Sequence, residues 1–253
     1  MRPVLLHMKK HQKTAFLSDI HGNLRALAAV LNTLDRREIR HLICLGDIVG
    51  YGAHPVECLR LIRKRFAHCL LGNHETALMD PQTSFHYRAD VRESLHHHRN
   101  LLSKEHLNHL ASLPLTLEVP LYTASHGSIA KPDLFTYVID EETARQHFQK
   151  QGNRRLSFCG HTHRAGIWIL DNNLIRHQPP ENFILKPNTR VLVDVGSVGQ
   201  PRDFDPRASV VIYDPTNSSL EFLRIEYDVE LAARDILDKG LAYSFAARLA
   251  KGI

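Results

Sequence analysis

Seven side chains in this sequence have the chemistry to hold metal ions together. Asp19, His21, Asp47, Asn73, His126, His161 and His163 supply two carboxylates, one amide oxygen and four imidazoles. They sit in five short stretches: SDIHGN (18–23), LGDIVG (45–50), LGNHE (71–75), SHGS (125–128) and CGHTH (159–163). A mixed oxygen and nitrogen set without thiolate suits manganese, iron or zinc, and seven donors exceed the needs of one tetrahedral ion. Two ions sharing a bridging carboxylate account for the number. Such a pair, about 3.5–4 Å apart, generates a hydroxide near neutral pH and clamps an in-line displacement at phosphorus.

Each stretch has a plainer reading on its own. Asp19-x-His21 fits a turn that caps a helix, and Gly46-Asp47 is a common turn pair. Asn73 after Gly72 is ordinarily a turn residue, and a lone His126 is ordinarily structural. The pair His161-x-His163 is stronger, because residues i and i+2 of an extended segment point the same way. The five stretches share one pattern, an apolar run followed at once by a polar cluster with glycine. That makes accident a poor explanation, and the histidine pair reads as two ligands, one for each metal.

The elements that position these residues can be read from periodicity. TAFLS (14–18), HLICLG (41–46) and HCLLGN (68–73) are short apolar runs that predict buried strands. Between them, Leu24, Leu27, Leu31 and Leu34 recur at helical spacing, as do Val56, Leu59, Ile62 and Phe66. This β-α-β-α-β order argues a parallel sheet, whose strand carboxyl ends are where sites form. Residues 88–113 predict one long polar helix. Further on, LEVPLYTAS, LSFCG, GIWIL, NFILK, RVLVDVG, ASVVIYD and LEFLRIEYD predict strands, several divided by turn residues. Two helices, about 229–239 and 241–251, close the chain. The pattern implies one α/β domain over 1–253, with 1–12 a flexible tail and 229–253 a helical C-terminus.

Composition excludes several classes. No apolar run approaches the roughly 18 residues of a membrane span, and MRPVLLHMKKHQK lacks the features of a signal peptide. Cys44, Cys58, Cys69 and Cys159 form no CxxC pair and read as buried free thiols, which suggests a cytoplasmic protein. The net charge of +5 suits an anionic substrate. No basic stripe interleaved with aromatic residues signals nucleic acid. The oligomeric state is left open, a homo-oligomer included.

The ordered motifs D-x-H, G-D-x-x-G, G-N-H-E, H-G and G-H-x-H resemble those of the calcineurin-like metallophosphoesterase superfamily. They span residues 18–163, and GDIVGYGAHP and GSVGQPRDFDPRAS resemble its small bacterial and archaeal phosphoesterases. The resemblance implies a four-layer α-β-β-α sandwich, with two mixed β-sheets flanked by helices. It implies that Asp19, His21 and His163 bind one metal, that Asn73, His126 and His161 bind a second, and that Asp47 bridges both. His74 matches the histidine that contacts the phosphate and assists the leaving oxygen. The implied activity is hydrolysis of a phosphate ester, as phosphatase or phosphodiesterase, with direct attack by water and two Mn, Fe or Zn ions. Glu75 either orients His74 or is a first-turn helix carboxylate.

Arg202 and Arg207 could reach a substrate phosphate, Arg202 being the better candidate, since Arg207 also fits an ion pair with Asp203 or Asp205. Phe204 departs from the small residue expected in that loop. Ser/Thr protein phosphatases and dinucleoside tetraphosphatases, the alternative readings, carry G-D-x-x-D-R-G and an arginine just before G-N-H-E. Here these places read GDIVGYG and CLLGNHE, so those arginines are missing. A non-catalytic scaffold on the same fold would lose ligands or the phosphate-contacting histidine, and this chain keeps all eight residues. The superfamily's nucleases usually carry an added domain, and no such segment is visible. Consecutive helical residues do not face one another, so His96, His97 and His98 are not expected to bind metal, and His106 and His109 read as a solvated face. Trp168 is expected in the core or a pocket wall.

Overall fold

The computed structural model describes residues 12–253, so residues 1–11 of the expected N-terminal tail lie outside it. The first half alternates as its periodicity predicts: β1 (Thr14–Leu17), α1 (Leu24–Arg36), β2 (His41–Cys44), α2 (Pro55–Arg65) and β3 (His68–Cys69). The three strands are parallel. Asn23 starts α1, its Oδ1 accepting from the Ala26 N–H at 3.1 Å, and the helix buries Leu27, Val30, Leu31 and Leu34. Pro55 opens α2, where a missing N–H costs nothing.

Next come α3 (Asn73–Met79), α4 (Ala89–Leu101) and α5 (Lys104–Ala111). The single helix expected over 88–113 is therefore two. Leu102 leaves helical backbone at φ −84° and ψ 132°, and Ser103 caps the second helix by accepting from the His106 N–H at 3.3 Å. A serine hydroxyl that satisfies the orphan N–H groups of a new helix competes with continuation of the old one.

The second half contributes β4 (Thr116–Glu118), β5 (Thr123–Ser125), α6 (Glu141–Gln151), β6 (Leu156–Cys159), β7 (Gly166–Asp171), β8 (Leu174–Gln178) and β9 (Phe183–Ile184). β10 (Arg190–Asp194), β11 (Ala208–Asp214) and β12 (Ser219–Ile225) follow, then α7 (Val229–Asp238) and α8 (Tyr243–Leu249). LEVPLYTAS is a hairpin of β4 and β5 rather than one strand. Two six-stranded sheets result, ordered β3-β2-β1-β11-β12-β9 and β4-β5-β6-β10-β7-β8. Both are mixed: β1 runs antiparallel to β11, while β10 is parallel to β6 and antiparallel to β7.

Alternation along the strands builds the layers. In β1, Ala15 and Leu17 join a core shared with α1, α2, α7 and α8, while Phe16 points the other way. β11 divides likewise, Val210 and Ile212 to the helices, Val211 and Tyr213 inward. From the facing sheet, Phe158, Ile167, Val191 and Val193 meet Phe16 in a core between the sheets. The opposite face of that sheet turns Cys159, Trp168 and Leu192 onto Ala144 and Phe148 of α6. Trp168 is thus a core residue. The architecture is the expected four-layer sandwich, with both sheets buried on two faces, and among the described residues no helix is long and apolar enough to cross a membrane.

Phe16 is the centre of the inner core. It is fully buried, stacks on Phe158 with ring centroids 3.6 Å apart, and meets Tyr122 edge-on at 5.0 Å. Phe16→Ala is expected to cost about 3–5 kcal/mol of unfolding free energy in urea titrations. A loss below about 1 kcal/mol would mean the two sheets do not depend on this contact.

Candidate metal centre

The seven donors project from strand ends of both sheets. Asp19 and His21 follow β1, Asp47 follows β2, and Asn73 begins α3 just beyond β3. His126 follows β5, and His161 and His163 follow β6. Cross-sheet hydrogen bonds hold the two sets in register. The His161 N–H donates to Asp19 Oδ2 at 2.9 Å, the Val198 N–H to the Ser18 carbonyl at 3.0 Å, and the Ser197 hydroxyl to the Asp19 carbonyl at 2.8 Å.

The backbone here is strained. Asp19, His21, Asp47, His161 and His163 have φ of 55°, 47°, 55°, 71° and 59°. This left-handed region costs a non-glycine residue roughly 1–2 kcal/mol. Five such residues around one point mean that the surrounding structure imposes the conformation. Glycines clear the space: a Cβ on Gly72 would lie 2.1 Å from Asp47 Oδ1, and one on Gly50, at φ 91°, would lie 2.1 Å from His74 Nδ1.

The ring orientations are decided by backbone carbonyls. His21 Nδ1 lies 2.8 Å from the Val49 oxygen, His126 Nδ1 3.0 Å from the Leu45 oxygen, and His163 Nδ1 2.6 Å from the Gln200 oxygen. A carbonyl only accepts, so each Nδ1 carries hydrogen, and each ring in its neutral, ligating form aims an Nε2 lone pair inward. The lone pairs converge. His21 Nε2 is 3.1 Å from His163 Nε2, and His126 Nε2 is 3.1 Å from His161 Nδ1 and 3.0 Å from Asn73 Oδ1.

The carboxylates repeat the arrangement, one oxygen pinned and the other turned in. Asp19 Oδ1 is buried without a hydrogen-bond partner, 3.2 Å from His163 Nε2. Asp47 Oδ1 accepts from the His74 N–H at 2.9 Å. Its Oδ2 lies 3.3 Å from His126 Nε2 and 3.7 Å from His21 Nε2, between the two groups of donors. Buried acceptors facing acceptors need a cation among them. The residues therefore fit divalent metal ions, in three overlapping groups: Asp19, His21 and His163; His21, Asp47 and His74; and Asp47, His126 and His161.

The titration behaviour agrees. Burial alone would raise the carboxyls, but His163 beside Asp19 and His126 beside Asp47 hold both well below the usual range. Burial lowers His161 to about 3 and His163 to about 4, which keeps them in the neutral, ligating form. His126 moves up to about 10: burial opposes this, but the charges of Asp47 and Asp19 prevail.

Several supporting residues were not legible in the sequence. Glu75 does not orient His74. Its carboxylate accepts from four backbone N–H groups, those of Asp47 at 2.8 Å, Ile48 at 2.8 Å, Val49 at 3.1 Å and Gly72 at 3.1 Å. It is the acceptor around which the Asp47 loop is folded. His98 is fully buried: it accepts from the Gly50 N–H at 2.9 Å and faces the Gly52 carbonyl at 2.8 Å, so it holds the adjoining turn. Asp194, at the end of β10, accepts from the Thr162 hydroxyl at 2.6 Å and supports the loop between His161 and His163. Its place in RVLVDVG, an acid at a strand end, was the available signal. Tyr87 receives the Asn73 Nδ2 hydrogen bond at 2.6 Å, and Tyr137 stacks on His161 with centroids 3.8 Å apart. Neither tyrosine has a periodic signature.

His74 is buried, with its ring 4.6 Å from that of His21 and 4.8 Å from that of Tyr51. Arg202 lies over Tyr51 at 5.7 Å, and its Nη2 donates to Gln200 Oε1 at 2.9 Å and faces the Tyr51 hydroxyl at 3.3 Å. These partners are neutral, and its Nε is buried without one. Arg207 instead pairs with Asp205 at 2.7 Å, and Phe204 is 81% exposed.

The family model for calcineurin-like phosphoesterases matches residues 12–165. The chain belongs to the calcineurin-like phosphoesterase family. A crystal structure of a metallophosphoesterase from Sphaerobacter thermophilus is 32% identical, superposes with a TM-score of 0.83, and covers 96% of this chain and 99% of that one. An uncharacterized protein of Methanocaldococcus jannaschii is 33% identical over 94% of this chain and 97% of its own. A hypothetical protein of Pyrococcus horikoshii shares the fold, with a TM-score of 0.77 at 18% identity over 95% and 98% of the two chains. Membership in this family implies metal-dependent hydrolysis of phosphate esters.

Glu75→Gln puts an amide NH2 where a carboxylate oxygen receives backbone N–H groups. Losing those acceptors is expected to cost about 2–4 kcal/mol in chemical denaturation, with weaker metal binding in calorimetry. Wild-type stability and metal affinity would contradict the role given to Glu75.

Proposed function

We propose that this protein is a two-metal phosphoesterase in which Asp19, His21 and His163 hold one cation, Asn73, His126 and His161 hold a second, and Asp47 bridges them. The observation that carries this reading is the convergence of acceptors whose protonation the backbone fixes, His21, His126 and His163 above all. The absence of thiolate among the donors favours manganese, iron or zinc. The named activity of the Sphaerobacter relative supports the same class.

Two such cations would supply an ionised water at neutral pH and neutralise charge on the phosphoryl oxygens. The chain's own groups do the rest. Asp47 ties both donor sets to one loop, and Glu75 fixes that loop. Arg202 holds a guanidinium among neutral partners, Tyr51 and Gln200, so its charge is not spent on a carboxylate and would pair with a phosphoryl oxygen. Burial holds His74 well below the ordinary imidazole value, so the ring is neutral in the free enzyme. A bound phosphate dianion raises that value and lets His74 donate a hydrogen bond or a proton to the leaving oxygen. In the overall reaction a water oxygen joins phosphorus, the bond from phosphorus to the leaving oxygen breaks, and that oxygen takes up a proton. A scaffold role is disfavoured, because all seven donors and His74 are present and assembled.

Asp47→Asn should lower metal content and turnover together, measured by elemental analysis and by hydrolysis of p-nitrophenyl phosphate with Mn²⁺. Two ions retained with full turnover would contradict the bridging role. His74→Ala should keep both ions while the rate falls by ~10²–10⁴-fold. A rate within twofold of wild type would remove His74 from the chemistry.

A further inference from the structure

A cleft of about 700 Å³ opens beside the donors, and Asn73 and His161 form part of its lining. Tyr87 and Tyr137 form the adjoining wall, each already in contact with one of those two residues. Beyond them Leu134 and Ile139 line the cleft although they are 62% and 65% exposed, and Tyr137 is 45% exposed. Isolated exposed apolar side chains need no explanation. Several gathered on one wall of a concavity that ends in a convergent polar cluster have the composition of a ligand site.

The charges of this cleft select among ligands. Asp133 and Asp140 are its carboxylates, His86 is a further imidazole beyond His161, and among the described residues no lysine or arginine lines it. A polyphosphate chain would meet two carboxylates there and no guanidinium or ammonium among the described lining residues. An uncharged ring would find the faces and edges of two tyrosines and an aliphatic rim. The unpaired guanidinium of Arg202 lies elsewhere, over Tyr51, and its backbone N–H bonds to the His163 carbonyl at 3.0 Å. The surroundings of the donors therefore differ from side to side, basic toward Arg202 and apolar toward Tyr87 and Tyr137.

We propose that the cleft is the leaving-group subsite and that it takes an uncharged, ring-bearing alcohol. Small phosphate esters of such alcohols are then the preferred substrates, and polyphosphates are not. The inference rests on the reading of the donors as a phosphoesterase centre. Tyr137 and Tyr87 have a second duty here, since they contact donor residues, so the test uses Ile139 and Leu134, which contact none of them in the structure's hydrogen bonds or ring pairs.

The test compares kcat/KM of wild type, Ile139→Asp and Leu134→Asp, all loaded with Mn²⁺, on four probes. These are p-nitrophenyl phosphate, adenosine 5′-monophosphate, glycerol phosphate and inorganic tripolyphosphate. Taking the variant-to-wild-type ratio for each probe cancels differences in leaving-group reactivity. The variants should lose about tenfold more on the ring-bearing esters than on glycerol phosphate, mainly through KM, as expected for a lost apolar contact in a pocket. Loss on only one of the two ring esters also supports the subsite and tells an aryl from a nucleoside occupant. Asp133→Lys should raise the tripolyphosphate value. Equal losses on all esters, or wild-type turnover of tripolyphosphate above that of both ring esters, would overturn the proposal. Hydrolysis of none of the four, and of no bis-p-nitrophenyl phosphate, by wild type with two ions bound would overturn the phosphoesterase reading itself, and this proposal with it.

Discussion

Three imidazoles in this protein have no choice about where their lone pairs point. Backbone carbonyls of Val49, Leu45 and Gln200 claim the Nδ1 hydrogens of His21, His126 and His163, and so the Nε2 atoms face one another and two carboxylates. A buried polar atom without a partner costs about 1–3 kcal/mol. Acceptors set against acceptors cost more, because their charges repel in a medium that screens poorly. The chain retains this arrangement, with five residues in left-handed backbone around it. Elements that serve stability alone would relax both strains. A cation among the donors turns the same repulsion into binding.

The sandwich exists in a form that makes this convergence rigid. Each sheet delivers strand ends to the same edge, and the inner core around Phe16 and Phe158 fixes how far apart those ends lie. Glu75 then does for the Asp47 loop what a strand ladder does elsewhere, satisfying four N–H groups with one carboxylate. Burial and the Asp47 charge push Glu75 up to about 7, while its backbone donors pull the other way. Asp194 and Thr162 give the His161–His163 loop a comparable anchor. The donor residues are held by groups that touch no metal and no substrate, which is common where geometry must be kept to a fraction of an ångström.

Much of this was readable before any coordinates. The parallel β-α-β-α-β opening and the donor stretches follow from apolar periodicity and from residue types placed after each apolar run, and the four-layer sandwich is what the motif resemblance implied. The donors are local signals: each sits one to four residues past a strand, so strand prediction and residue type locate it. The supporting residues are not local. Glu75 is separated in sequence from the Asp47 loop it holds, Tyr137 from His161 and Tyr87 from Asn73, so no short window contains both partners. The break between α4 and α5 was hidden because a capping serine inside a polar helix pattern looks like any surface serine. The structural role of His98 was hidden for a related reason, since three consecutive histidines on a polar helix give no hint that one ring faces inward. The Arg207 pair with Asp205 was legible because its partner is two residues away.

The most direct test of the central claim is the metal itself. Crystals grown or soaked with Mn²⁺, measured at the manganese edge, would locate every bound ion by its anomalous signal, and elemental analysis of the same protein would count them. The account predicts two ions per chain, one among Asp19, His21 and His163 and one among Asn73, His126 and His161, with Asp47 between them. No ion at these residues, a single ion, or a pair elsewhere would contradict it.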